Sequence, residues 1–170
     1  KDPEDIQAML RKMRELNLQF DEESSVEGFL GVDIHRDEAA GTITLTQTGL
    51  IKRIISALKI EGLPSVDTPA DTILHKDEDG DPATGDFNYA SVVGMMWYLY
   101  GHSRSKLGFA LSQASRFTHS PKRSHELALI RIGQYLKGTS KEGMILKPAS
   151  FDHLFMDCHV DSDFMGLHGK

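Results

Sequence analysis

The sequence predicts an α+β fold in which a helix and a β-hairpin precede a helical region and two final strands. Apolar residues recur every three or four positions in 6–16, 50–58 and 89–136, the spacing that places them on one face of an α-helix. They alternate with other residues in 30–34 and 42–46, as in strands with one buried face. The 170 residues suffice for one ordinary domain or for two small pieces of a larger one.

The first elements have recognisable ends. Asp2 is predicted to cap the first helix, with Pro3 in its first turn, because proline there gives up no helical hydrogen bond. Segment 37–41 (DEAAG) is predicted to be the hairpin turn. A second helix is expected over 48–60, and the polar segment 61–86, which has no apolar period, is expected to be a long surface loop or linker.

The segment after residue 86 is predicted to be three helices followed by strands. The helices are expected over 89–100, 107–117 and 121–138, the last one capped by Ser120. The strands are expected at 144–146 and 154–160. Because these strands have no partner sheet in the sequence, we expect the chain to be a segment of a longer protein.

Charge is distributed unevenly along the chain. Residues 1–86 contain nine lysines and arginines against 19 acids, and residues 87–148 contain nine against two. A segment with a charge of +7 is typical of a surface that binds a polyanion. It could equally neutralise the acidic part of its own protein. Charge alone leaves both interpretations open.

Few residue patterns suggest a metal or redox site. The single cysteine, Cys158, excludes an internal disulfide and a cysteine-based zinc site and suits a reducing compartment. Asp161 and Asp163 lie two positions apart at the end of an apolar strand, so their carboxylates could face one magnesium ion. Acids that merely end a strand are the alternative.

No run of 18 apolar residues is present, which predicts no membrane span.

Seven short motifs, taken in order, resemble copia-type retrotransposon reverse transcriptases, which are parts of Pol polyproteins. The motifs are GFLGVDI at 28–34, ITLTQ at 43–47, DTP at 67–69, YASVVG at 89–94, SRF at 115–117, YLKGT at 135–139 and VDSDF at 160–164. Each motif is weak alone. Together they occur in the same order as in the family and extend over nearly the whole chain.

The resemblance implies a layout of four parts. Residues 1–47 would be a palm remnant with a primer-grip-like hairpin, and 48–86 a thumb-like helix with an acidic linker. Residues 87–142 would be a helical thumb and connection, and 143–170 the incomplete start of an RNase H-like domain. We therefore expect a fragment of an RNA-directed DNA polymerase and RNase H that contributes template–primer binding and is not catalytic alone.

The resemblance also implies site residues. Phe29, Leu30 and Gly31 would form the primer grip, where a glycine lets a nucleic-acid backbone approach a strand closely. A simple bulge is the alternative for Gly31. Asp161 would be the first RNase H carboxylate and, with Asp163, a ligand of Mg²⁺ in the parent enzyme. The expected phosphate contacts are Arg104, Arg116, Lys122, Arg123, Arg131 and Lys137.

The sequence departs from the family pattern at several positions. No adjacent pair of aspartates occurs, so the catalytic pair of the polymerase is not in this chain. The family usually has Thr-Arg-Pro-Asp where 103–106 reads SRSK, and Trp where Phe164 stands. These differences suggest a divergent element.

The resemblance finally implies partners and a location. The partners would be an RNA–DNA or DNA template–primer duplex and the rest of the Pol polyprotein, with no membrane, and the location would be the cytoplasm, within a virus-like particle, and the nucleus. One alternative is a stand-alone helical module that binds protein through Trp97 and Tyr100. Another is a transposon remnant without a function.

Overall fold

The computed structural model describes residues 3–20 and 31–147, and the predicted α+β class is confirmed within them. The elements, in chain order, are helix α1 (Pro3–Glu15), strands β1 (Asp33–Asp37) and β2 (Thr42–Thr46), helices α2 (Thr48–Leu58), α3 (Tyr89–His102), α4 (Gly108–Ser115) and α5 (Arg123–Gly138), and strand β3 (Met144–Leu146). A short 3-10 turn at Ser105–Leu107 joins α3 to α4. The strand predicted at 154–160 lies outside the described residues.

The hairpin forms around the predicted turn, but its first strand covers 33–37 and not the predicted 30–34. β1 and β2 are antiparallel, and Asp37 pairs with Thr42 across the turn. Gly41 adopts a φ of +62°, which favours glycine, and the Ala40 N–H donates to Asp37 Oδ1 at 2.9 Å. β3 pairs antiparallel with the other edge of β2. The described part of segment 143–170 therefore shares a sheet with the hairpin, and the expectation that the strand at 144–146 has no partner sheet was wrong.

The core lies among the four helices that follow the hairpin. The predicted apolar face of α2 is buried through Ile51, Ile54 and Leu58. The largest fully buried apolar side chains of this core are Ile51, Ile54, Ile60, Met96, Leu99, Leu107, Leu111, Leu129, Ile132 and Leu136. Helix α1 differs, because its predicted apolar stripe is exposed, with Ile6 at 48% and Met9 at 55%.

Helix α5 begins two residues later than the sequence predicts. Lys122 is extended (φ −107°, ψ 172°) and forms an isolated antiparallel bridge with Pro82. Arg123 N–H donates to the Asp81 carbonyl at 2.9 Å. The pairing with 81–82 holds this backbone extended, so the predicted start at Pro121 was wrong.

Residues 61–86 form a strap that runs antiparallel along α5. Near the carboxyl end of α5, Lys137 Nζ donates to the Leu63 carbonyl at 2.7 Å and Gln134 Nε2 to the Pro64 carbonyl at 2.9 Å. At its amino end, Ser124 Oγ donates to Asp77 Oδ2 at 2.6 Å. Because these side chains recur at helical spacing, one face of α5 follows the strap along its length. Of the two alternatives that the sequence left open, the structure shows the long loop, which packs along α5 and is not a free linker.

The middle of the strap is tied to the core. Leu74 is buried, and its N–H donates to Oε1 of the buried Gln113 in α4 at 3.2 Å. The ring of His125 stacks on Phe117 with centroids 3.8 Å apart, and its Nε2 lies 3.0 Å from the His75 carbonyl oxygen. A segment without regular structure needs such partners, because buried backbone groups must be hydrogen-bonded.

Glu126 closes the last turn of the strap. This side chain is buried and accepts hydrogen bonds from the Thr84 N–H at 2.9 Å, the Gly85 N–H at 3.2 Å and the Arg123 guanidinium at 2.9 Å. Burial by itself would raise the pKa of Glu126, but the hydrogen bonds from Thr84, Arg123 and Gly85 outweigh it and lower that pKa. The strap is therefore anchored on an ionised carboxylate.

We predict that Glu126→Gln lowers the free energy of unfolding by about 1–3 kcal/mol near neutral pH, because an amide cannot accept all these hydrogen bonds. Since folding lowers the pKa of Glu126, its stabilisation is complete above the ordinary value of 4.5 and is lost as the pH falls below it. Urea unfolding on both sides of this pH tests this. The wild-type chain should lose more stability on acidification than the Glu126→Gln variant.

Glu142→Gln is the matched control for this prediction. Glu142 is exposed and faces Lys106 at 3.7 Å, so we expect its substitution to change stability by less than about 0.5 kcal/mol. Equal losses in the two variants would contradict the anchoring role of Glu126.

We predict that Gly133→Val in α5 destabilises the chain by about 1–3 kcal/mol through overpacking. A Cβ at Gly133 would lie 2.5 Å from Leu58 Cδ1 and 2.7 Å from Ile60 Cδ1, where α5 meets the end of α2. Thermal unfolding followed by circular dichroism measures the effect. Gly94→Val in α3 is the control, because no heavy atom lies within 4 Å of a Cβ there, and it should change stability by less than about 0.5 kcal/mol.

Candidate nucleic-acid interface

A cleft of about 460 Å³ opens between the start of β1, the first turn of α2 and the outer face of α3. Its lining residues are Gly31, Asp33, Gln47, Gly49, Leu50, Arg53 and Tyr98. The hairpin and α2 meet here because β2 leads directly into α2 through Gln47. The cleft therefore combines backbone, amide, carboxylate, guanidinium and aromatic groups.

Two glycines keep the wall of this cleft open. Gly31 has a φ of +74°, a conformation that side chains disfavour, and no heavy atom of the described residues lies within 4 Å of the position of a Cβ. Gly49 likewise has open space at its Cβ position. The prediction that Gly31 allows close approach of a ligand fits this position. Phe29 and Leu30, the other predicted primer-grip residues, lie outside the described residues.

The polar groups of the cleft are partly satisfied within the fold. Thr48 Oγ1 donates to Asp33 Oδ2 at 3.2 Å, which places a carboxylate beside the first residue of α2. The buried Gln47 accepts a hydrogen bond from Ser103 Oγ at 2.8 Å, and its Nε2 has no partner in the described part of the chain. Gln47, the residue before α2, makes no capping hydrogen bond with its side chain to the described residues of that helix. Asp33 is the acid that faces the positive end of this helix dipole.

Arg104 has a structural role that the sequence did not reveal. Its side chain is buried, and Nη1 donates to the Thr139 carbonyl at 2.5 Å and to the Glu142 carbonyl at 3.1 Å. The guanidinium also lies over the ring of Tyr135, 5.6 Å from its centroid. These contacts satisfy carbonyls at the end of α5, a favourable place for a cation. Arg104 is therefore not presented to a phosphate, and its prediction as a phosphate contact needs correction.

Four further predicted contacts hold the strap. Lys122 Nζ donates to the Gly80 carbonyl at 3.1 Å, and Arg123 pairs with Glu126. Arg131 pairs with Asp71 at 3.0 Å, and Lys137 donates to carbonyls of residues 61 and 63. Each of these four cations thus makes at least one hydrogen bond or ion pair with residues of the same fold. This arrangement favours the interpretation in which the basic segment neutralises and binds the acidic part of the chain.

Several exposed cations lie outside the strap contacts, and three of them are relevant to the predicted interface. Arg116, a predicted phosphate contact, is exposed at the end of α4, where its guanidinium carbon lies 5.5 Å from the centroid of the Phe117 ring. Lys52 and Arg53 are exposed on α2, and Arg53 lines the cleft. Sequence analysis missed this pair, although it stands on the polar side of a helix whose opposite face is apolar.

The proposed metal ligands cannot be placed. Asp161 and Asp163 lie outside the described residues. Within 3–20 and 31–147, no group of three histidine, cysteine or acidic side chains could hold a metal ion. No helix in the same ranges is long and apolar enough to cross a membrane.

The chain is similar in sequence to proteins of retrotransposons. It is 33% identical over 87 residues, or 51% of its length, to the retrovirus-related Pol polyprotein from transposon RE1 of Arabidopsis thaliana. It is 28% identical over 144 residues, or 84% of its length, to a transposon Ty5-1 protein of Saccharomyces cerevisiae. It is 27% identical over 118 residues to the retrovirus-related Pol polyprotein from transposon TNT 1-94 of Nicotiana tabacum.

These matches cover only part of each relative. They span 6% of the RE1 polyprotein, 46% of the Ty5-1 protein and 9% of the TNT 1-94 polyprotein. No family model matches the chain, and no solved structure does. These relatives nevertheless confirm the resemblance that the seven motifs indicated: the chain is similar to stretches of retrovirus-related Pol polyproteins of transposons.

Proposed function

We propose that the chain is a template–primer binding part of a retrotransposon reverse transcriptase and performs no chemistry alone. The layout is the one that the resemblance implies, from palm remnant through thumb and connection to the start of an RNase H-like domain. Its partners are an RNA–DNA or DNA duplex and the remainder of the Pol polyprotein. Mg²⁺ would act in the parent enzyme, with Asp161 and Asp163 among its ligands, in a virus-like particle of the cytoplasm and in the nucleus.

The observation that carries this proposal is the open cleft at Gly31 beside exposed cations of α2. A duplex presents phosphates at regular spacing, and lysines and arginines that face solvent can replace its counterions. Lys52 and Arg53 meet this requirement, whereas Lys122, Arg123, Arg131 and Lys137 hold the strap. The binding surface therefore includes α2 and the cleft, with Arg116 as a further candidate contact at the end of α4.

A second candidate function is protein binding through the outer face of α3. Trp97 is 39% exposed and Tyr98 is 41% exposed. Trp97 packs edge-on against Tyr100 with centroids 5.2 Å apart, so its position is fixed. Exposed aromatic side chains are common at protein interfaces. Binding that does not depend on salt would favour this second function over the first.

We predict that Arg53→Ala weakens binding to an RNA–DNA duplex by about tenfold in 0.1 M salt, because one phosphate contact is lost. The slope of log affinity against log salt concentration should fall by about one unit. Fluorescence anisotropy with a labelled duplex over a series of salt concentrations measures both values.

Lys137→Ala is the control, since it removes one positive charge from a side chain that holds the strap. We expect this variant to lose stability and to keep the wild-type duplex affinity. Equal loss of affinity in both variants would show that only net charge matters and would contradict the proposed surface.

We also predict that the purified chain incorporates no nucleotide with Mg²⁺ on a primed template, since it contains no adjacent pair of aspartates. A primer-extension assay tests this. Magnesium-dependent extension by the chain alone would contradict the proposed division between binding and chemistry.

A further inference from the structure

We propose that the cleft takes one unpaired nucleotide of a bound nucleic-acid strand and holds it by its base and sugar. This inference deepens the proposed function and rests on it. The cleft volume of about 460 Å³ lies in the range typical of small-molecule sites. Its lining joins an aromatic ring, a guanidinium, a carboxylate and an amide, the groups with which proteins stack on and hydrogen-bond to single nucleotides.

The carboxylate of Asp33 disfavours a phosphate inside the cleft and favours the uncharged base or sugar of a nucleotide. Asp33 lies beside the first residue of α2 through its hydrogen bond with Thr48. It already faces the positive end of the helix dipole, so a phosphate there would meet a carboxylate. A base or a sugar hydroxyl carries no charge, and a hydroxyl can donate to Asp33. The phosphate is better placed at the rim, where the exposed Arg53 supplies a cation.

The aromatic wall is in place before a ligand binds. The ring of Tyr98 lies against the ring of His102 with centroids 4.2 Å apart, and His102 Nδ1 lies 2.7 Å from the Tyr98 carbonyl oxygen. Tyr98 is 41% exposed and lines the cleft. Because the Tyr98 ring is already held by a neighbour, binding of a base costs less free energy for ordering this side chain.

Gln47 gives an independent reason to expect a polar ligand. The side chain is 1% exposed, and its Nε2 has no partner among the described residues. A buried amide donor without an acceptor is costly, and a ligand with acceptor atoms can remove that cost. The open space at Gly31 and Gly49 leaves room for such a ligand to approach the backbone.

The test compares two probes that differ by one nucleotide. One is a blunt RNA–DNA duplex, and the other is the same duplex with a single unpaired 3′ nucleotide. We expect the wild-type chain to bind the second probe about tenfold more tightly in fluorescence anisotropy, within the range for one stacked base. Tyr98→Ala should abolish this gain, so that the variant binds the two probes with equal affinity.

Two further variants separate stacking from a general effect on α3. Tyr98→Phe keeps the ring and should keep the gain. Trp97→Ala removes a neighbouring aromatic side chain of similar exposure that does not line the cleft, and it should also keep the gain. Circular dichroism confirms that each variant is folded.

The outcomes distinguish this inference from the function on which it rests. If the chain binds the blunt duplex but gains nothing from the extra nucleotide, or if Tyr98→Ala keeps the gain, the nucleotide site is wrong and duplex binding stands. If the chain binds neither probe, duplex binding fails and the nucleotide site fails with it.

Discussion

The contact between the strap and α5 determines how the rest of the described structure is arranged. Twenty-six residues without helix or strand cross the helix antiparallel and bury Leu74 in the core. A segment of this kind cannot satisfy its own backbone, so α5 supplies donors and acceptors along one face. Glu126 at one end and Lys137 at the other fix its path. The strap connects α2 to α3, which pack in the same hydrophobic core as α5.

The same contact decides what the basic residues of α5 do. A lysine or arginine that donates to strap carbonyls, or pairs with Asp71 or Glu126, has fewer donors left for a phosphate. The segment with a charge of +7 is therefore used largely inside the fold. Exposed cations are also found on α2, next to a cleft that polar and aromatic side chains line. The similarity to Pol polyproteins and the distribution of charge are thus compatible, although most of the basic residues predicted to contact phosphates hold the strap.

Local patterns were sufficient to predict most elements. The hairpin turn, the apolar face of α2 and the three later helices follow from periodicity and from turn residues, because these depend on neighbours within a few positions. The start of α5 did not follow, since Lys122 is held extended by a backbone pairing with Pro82, 40 positions earlier. The cleft was also missed, because Gly31, Arg53 and Tyr98 come from three separate elements. Gly31 alone carried a local signal, its place in a strand-like motif.

The sequence by itself determined the α+β class, the order of most elements and the similarity to retrotransposon Pol polyproteins. Periodicity and short motifs depend only on residues that are close together in the sequence. Only the tertiary structure decided which cations face solvent and which bind the strap. Arg104 and Arg116 look alike in the sequence, yet one is buried against carbonyls at the end of α5 and the other is exposed. The difference arises from contacts between residues 35 or more positions apart, which no local pattern encodes.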